Sequence, residues 1–325
     1  MPTFDGLTTQ DEVAQAFSSQ IKGCTYVITG AGQPSIGSQM ALTIARHSPA
    51  HILIASRSSS KVDPVLKRIK EIDSSIKTSF VQVELSDHDS VRRAAAEILA
   101  LTPKIDVLIN SAGNMTIKDY TLDKQGIEIQ FSVNHVGHFL LTNLLIPALE
   151  SAAAKSNTGS RIVNLTSSAY HISGVNFEDY NFSGGKTYQR WTAYGQAKTA
   201  NILFAFGLTE RLKSRGITAF AAHPGYNGDT ELAAHLTWDD FGEIHSVTLE
   251  NTGKEFVWEE PRMKSFEQIA ATPLVAALDP DLPAKSPALL QNSNILELDA
   301  ELRSPERVQK LWTLSEKLVG QEFKY

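Results

Sequence analysis

Two side chains four residues apart, Tyr194 and Lys198, have the types and spacing for proton transfer. They lie in TAYGQAKTANILFAFGLTERL, whose apolar spacing predicts a long helix, and on a helix positions i and i+4 share a face. A phenol titrates near ~10, too high for acid–base work at neutral pH. A cation about 4 Å away at an effective dielectric of about 20 contributes roughly 4 kcal/mol, or about 3 pK units. Lys198 is therefore expected to draw Tyr194 toward neutrality. Ser168, at the end of the apolar run RIVNLT, is expected to hydrogen-bond the same reacting oxygen.

The elements that must position these groups alternate along the chain. CTYVITG reads as a buried strand running into glycines, followed by a helix over 36–47. Strand, glycine-rich turn and helix together make a place where a pyrophosphate meets backbone N–H groups. HILIAS, SFVQVEL, IDVLINSAG, RIVNLT and TAFAAHPG read as further strands, with helices over 64–72, 89–101 and 127–149 and the Tyr194 helix between them. Near-continuous apolar strands alternating with helices predict an α/β fold, a single Rossmann-type doubly wound parallel sheet over 1–325. Residues 1–22 form an N-terminal extension with a short helix over 11–21. After HPG the pattern breaks: 227–264 is polar and irregular, dotted with Trp238, Phe241, Phe256 and Trp258, and is expected to be a substrate lid. A helix over 266–278 with a kink at Pro273 follows, then an edge strand at ALLQNSNIL. The C-terminal helical extension over 300–325 opens at Ser304 and Pro305 and closes at Gly320.

Composition is that of an ordinary globular protein, 42% hydrophobic and 20% charged. A net charge of −6 without a Lys/Arg cluster argues against nucleic acid. The single cysteine, Cys24, precludes an internal disulfide. No apolar run reads as a membrane span and the N-terminus lacks signal-peptide features, so a cytoplasmic protein is expected. No metal site is expected.

Four signals coincide in order: TGAGQPSIG after the first strand, NSAG after the fourth, SS after the fifth and YGQAK on the next helix. The chain resembles the short-chain dehydrogenase/reductase family over nearly its whole length. FSVNHVGHFLLTNLL and the HPG after strand six are similar to its retinol-dehydrogenase-like branch and microbial tailoring reductases. The resemblance implies reversible hydride transfer between a nicotinamide cofactor and a carbonyl or alcohol on a largely apolar substrate. Tyr194 would be the proton donor or acceptor, Lys198 would lower its pKa and bind the nicotinamide ribose, and Ser168 would orient the carbonyl. Ser167 would sit nearer the cofactor. Asn134 would hold a water of a proton relay to Lys198. Gly30, Ser35, Ile36 and Gly37 would serve the phosphates, and Glu84 with Leu85 the adenine. Asn110, Ala112 and Gly113 would line the cofactor, Asn110 also bracing the sheet, and Pro224, Gly225 and Thr230 would close the far end.

The glycine loop is one residue longer than the family pattern, with Ser35 in place of a glycine, and Glu84 replaces an aspartate. At the end of strand two, Ser56 stands where an NAD enzyme of the family would carry an acid, followed by Arg57, three serines and Lys61, which points to NADP. The resemblance admits a homodimer through the Asn134 and Tyr194 helices, or the apolar tail helix covering a surface instead. Two other functions compete: a catalytically silent NADP-binding scaffold, favoured only by the altered glycine loop, and a sugar epimerase, which would carry a larger C-terminal domain.

Overall fold

Strands with both faces apolar need cover on both faces, and the chain supplies it. In the computed structural model, which describes residues 3–325, eight strands form one sheet in the order β3-β2-β1-β4-β5-β6-β7-β8. They are β1 Thr25–Thr29, β2 His51–Ser56, β3 Lys77–Gln82, β4 Val107–Asn110, β5 Ser160–Leu165, β6 Ile217–His223, β7 Ala288–Gln291 and β8 Asn294–Leu296. Pairing is parallel from β3 through β7, and only β8 runs antiparallel. Residues 1 and 2 of the expected N-terminal extension lie outside the described residues.

The main helices are α1 Gln10–Ala16, α2 Ile36–Ala45, α3 Ser59–Ile72, α4 His88–Leu101, α5 Gly137–Ala153, α6 Arg190–Leu212, α7 Trp238–Thr252, α8 Ala271–Leu278 and α9 Pro305–Val319. Val13, Ile44, Val65 and Leu274 carry α1, α2, α3 and α8 onto one face of the sheet. Ile98, Phe139, Phe204 and Trp312 carry α4, α5, α6 and α9 onto the other. The chain crosses from β3 on one side of β1 to β4 on its other side. Two connections therefore diverge at the C-terminal ends of β1 and β4, and a cleft opens there.

Several expectations change in detail. The helix expected over 127–149 is built of Ile129–Phe131, a π-turn over Ser132–Val136, and α5. By length and composition the run Ile129–Ala153 would cross a membrane, yet 78% of its most apolar window is buried inside the protein, so it is a core helix here. The helix expected over 266–278 breaks at Ala270, three residues before Pro273. The single edge strand is a hairpin, β7 and β8, turning through Asn292 and Ser293 with φ of 50° and 62°. The segment expected to be irregular contains α7, fifteen residues long, started by a capping box between Thr237 and Asp240.

α9 packs on the outer faces of α5 and α6, so the apolar tail helix covers a surface, the second of the two alternatives the sequence left. Trp312 packs edge-on against Phe139 at 5.0 Å, Arg211 lies 4.0 Å over its ring, and Tyr325 donates to Asn143 Oδ1 at 2.6 Å. His135, inside the π-turn, is bonded to Ser315 of α9 at 2.8 Å.

Candidate active site

β5 ends at Leu165, and Ser167 caps the short 3-10 turn Ser168–His171 by accepting the Ala169 N–H. Ser167 is the serine whose side chain bears on the Tyr194 phenol, favouring its ionised form, and both Ser167 and the expected Ser168 line the cavity above it. Ser168 lies one position further along the turn and lines the same cavity.

Tyr194 and Lys198 stand on one face of α6 as the spacing predicts, with Nζ 5.4 Å from the phenol ring centroid. Both are buried, and burial dominates both titrations. It pushes the Tyr194 phenol well above its ordinary value, with only the Ser167 side chain working the other way. It depresses the Lys198 ammonium from 10.5 to about 8. The expectation that Lys198 draws Tyr194 toward neutrality is thus reversed, because two desolvated groups each favour their neutral form. Lys198 Nζ reaches only the Leu165 carbonyl, at 3.5 Å.

Asn134 comes from the π-turn, on the far side of Gly113. Its amide nitrogen donates to Gln130 O at 2.8 Å, Asn114 Oδ1 at 2.9 Å and Asn114 O at 3.0 Å. Its Oδ1 is buried with no partner among the described residues. A Cβ on Gly113 would overlap that oxygen and lie 3.7 Å from Lys198 Nζ, so glycine is needed for the close approach.

Two cavities meet at this point. The larger, about 590 Å³, is the cleft at the ends of β1, β2 and β4. Gly30, Ser35, Ile36, Arg57, Glu84, Leu85, Ala112, Gly113 and Thr230 line it, as expected of a dinucleotide site. Gly37 does not: it is buried, and a Cβ there would meet Gly30 O at 2.9 Å, so it serves the contact between α2 and β1. Asn110 also lies behind the cleft, where its amide binds Thr142 Oγ1 at 2.9 Å and Asn164 Oδ1 at 2.8 Å; of its two expected roles only the brace is seen. Ser35 caps α2 in a reciprocal box with Ser38, so the longer loop still delivers a helix N-terminus to the cleft. The glycine approaches and the width of the cleft suit a nicotinamide dinucleotide.

At the cleft's outer end, Arg57 is 79% exposed and its guanidinium is 4.0 Å from Glu84. Ser58 stands at the N-cap position of α3 without a capping bond from its side chain, and Lys61 reaches across to Glu231 at 2.5 Å, pairing this end of the cleft with the segment after HPG.

The second cavity, about 120 Å³, lies over Tyr194 and is lined by Ser167, Ser168, Lys198, Pro224, Gly225 and Thr230 with Met115, Trp191, Phe241, Phe256 and Trp258. α7 forms its roof. Ile244 and Val247 join Tyr194 and Trp191 in one apolar cluster. Arg190 ties α7 down through Asp240 at 2.7 Å and Glu243 at 2.6 Å. Two wall residues have no sequence signal of their own: Glu259, 2.7 Å from His223 Nε2 and 2.8 Å from Gln291 Nε2, and Arg262, whose guanidinium is 5.4 Å from the Trp258 ring. Among the described residues no group of His, Cys, Asp and Glu could hold a metal.

Known proteins share this layout. The short chain dehydrogenase family profile matches residues 25–240. Human retinol dehydrogenase 13 is 35% identical over 93% of this chain and 86% of its own length. Oxidoreductase fscI of Fusarium equiseti is 34% identical over 68% of this chain and 94% of its own. Among solved structures, an uncharacterised protein from Mycobacterium paratuberculosis superposes with a TM-score of 0.68 at 28% identity, covering 94% of this chain and 96% of that one. With the sheet order, the glycine-lined cleft and the Tyr194–Lys198 pair in place, these matches make the chain an oxidoreductase of the short-chain dehydrogenase/reductase family.

Proposed function

We propose that the protein is an NADP(H)-dependent reductase of apolar, cyclic or aromatic carbonyl compounds, acting in the cytoplasm. The observation that carries the reading is the buried Tyr194–Lys198 pair on one face of α6, at the foot of an aromatic cavity that Ser167 and Ser168 also line. A nicotinamide dinucleotide bound in the adjoining cleft supplies the hydride. Ser167 orients the carbonyl oxygen, and the Tyr194 hydroxyl gives that oxygen its proton. A phenol is protonated at neutral pH, so Tyr194 is able to give the proton that reduction of a carbonyl needs. Lys198 holds the ribose hydroxyls and refills the proton on Tyr194. Asn134 Oδ1, aimed between Gly113 and Lys198, holds a water at the inner end of that path. Arg57, Ser58 and the first turn of α3 would hold a 2′-phosphate. Similarity to retinol dehydrogenases, together with Trp191, Phe241, Phe256 and Trp258 in the cavity wall, supports the apolar substrate class.

The test is oxidation of NADPH and NADH with a panel of cyclic and aromatic ketones and aldehydes. Turnover with NADPH is expected, and Tyr194→Phe should lower kcat by at least ~100-fold while leaving cofactor binding intact. Cofactor binding without turnover of any carbonyl would point to the silent scaffold instead.

A further inference from the structure

A chain of hydrogen bonds with one consistent direction runs from the turn after β4 to Asn134. Oγ1 of Thr29, the last residue of β1, accepts the backbone N–H groups of Ser111 at 2.9 Å and Ala112 at 3.0 Å. It lies 2.8 Å from Nε2 of His138, on α5. Nδ1 of the same ring is 3.0 Å from the backbone carbonyl oxygen of Asn134. A carbonyl oxygen has no proton to give, so Nδ1 must carry one. Burial lowers the imidazole pKa to about 4, with Lys198 adding to the effect, so the ring is neutral and Nε2 offers only a lone pair. The proton between Thr29 and His138 is then the threonine's. The same hydroxyl also lies 3.5 Å from Ile109 O, a longer contact than the 2.8 Å to His138 Nε2, which takes the proton.

The path ends at an irregular place. Asn134 belongs to the π-turn, where the Gly137 N–H reaches back five residues to Ser132 O. In such a turn carbonyl groups fall out of line with the amides four residues on. The His138 ring takes the carbonyl four residues behind it. A leucine or phenylalanine would fill the same buried space but leave both Thr29 and the Asn134 carbonyl without that partner.

We infer that His138 is a positioning residue: it fixes the Asn134 backbone and, through Thr29, ties it to the turn bearing Gly113, so that the Asn134 amide oxygen faces Lys198. The inference rests on the reading that Asn134 and Lys198 share a proton path. His138 lines neither cavity, so it acts through Asn134 and not on substrate.

Four variants test it: His138→Leu, His138→Gln, His138→Asn, and His138→Leu combined with Asn134→Ala. Asparagine places an N–H donor near the Nδ1 position, whereas glutamine reaches only the Nε2 position. The leucine and glutamine variants should lose about tenfold in kcat with the carbonyl KM unchanged, and the asparagine variant should recover to within about threefold of the parent. The double variant should be no slower than Asn134→Ala alone, since one residue acts through the other. Amide exchange over residues 132–138 should quicken in the leucine and glutamine variants and stay slow in the asparagine variant. Additive losses in the double variant, or equal rates for leucine and asparagine, would overturn the assignment. If Asn134→Ala retains full kcat, the proton-path reading fails, and with it the catalytic part of the inference; the exchange data still decide whether His138 holds the turn. Should the leucine variant not fold, the contrast between glutamine and asparagine decides the same question.

Discussion

The Ser167 side chain bears on the buried Tyr194 phenol, and the neighbouring Ser168 is turned into the first position of a 3-10 helix. One residue of offset separates a group that bears on the proton donor from one that only lines the cavity. Ser167→Ala should therefore lower kcat by roughly 100-fold, and Ser168→Ala by no more than about threefold. Steady-state rates of the two variants side by side decide it. Equal losses would mean that the turn is free to exchange the two serines.

Lys198 gives the activity and the stability opposite responses to pH. Its folded-state pKa lies below the ordinary value, so between about 8 and 10.5 the unfolded chain binds the extra proton. Stability from this group therefore rises with pH across that window, and the cost of burying the ammonium is fully present below it. Lys198→Met should be more stable than the parent at pH 7, by roughly 3 kcal/mol at most, with the gap closing by pH 10. Reductase activity should instead fall as pH rises through about 8, where Lys198 loses the proton it passes on. Urea unfolding and kcat profiles over the same buffers check both signs.

Arg57 stands free at the adenosine end of the cleft apart from Glu84 at 4.0 Å, a contact worth little at such exposure. A phosphate would meet a guanidinium that gives up almost nothing to bind it. Arg57→Ala should weaken NADPH binding about 10- to 150-fold and leave NADH nearly unchanged. Glu84→Gln should tighten NADPH by about threefold, by removing a like charge from the phosphate's neighbourhood. Equal affinity of the parent for both cofactors, by fluorescence titration, would sink the preference.

The roof helix α7 should open on a different timescale from the sheet. It is tied down by Arg190 in its first turns and by Asn251, whose amide donates to Thr192 Oγ1 at 2.8 Å, near its end, but it carries Trp238 at 75% exposure, and its buried residues are Ile244, Val247 and Thr248. Hydrogen exchange should show 227–264 opening faster than β1, β4 and β5, and slowing when NADPH and a carbonyl inhibitor bind together. Arg190→Ala should speed that opening further. Uniform protection with and without ligand would make the segment a fixed wall.

How much of the molecule is legible in the sequence depends on whether a property is periodic. β1 and β5 are buried throughout, so they read as unbroken apolar runs, and the i, i+4 spacing places Tyr194 and Lys198 on one face as observed. The helix α7 is hidden because Gly242 and a mixed WDDFGEIHSVTLENT pattern carry only a weak apolar face. The π-turn is hidden because one extra residue per turn changes no composition. The direction of the Tyr194 shift is misread from sequence because charge proximity is visible in spacing, whereas desolvation is visible only once the neighbours are in place.

The Lys61–Glu231 pair spans the mouth of the larger cavity, joining the start of α3 to the segment that leads into α7. A dinucleotide entering sideways must part it, and must let it re-form on leaving. With both side chains about half exposed, the pair adds under about 1 kcal/mol to the resting state. Its influence is therefore on traffic: as salt screens the pair, release of the coenzyme should quicken, by up to about fivefold. If coenzyme departure limits turnover, this oxidoreductase would run faster in moderate salt than in dilute buffer, the reverse of what screening does to the capture of an anionic ligand.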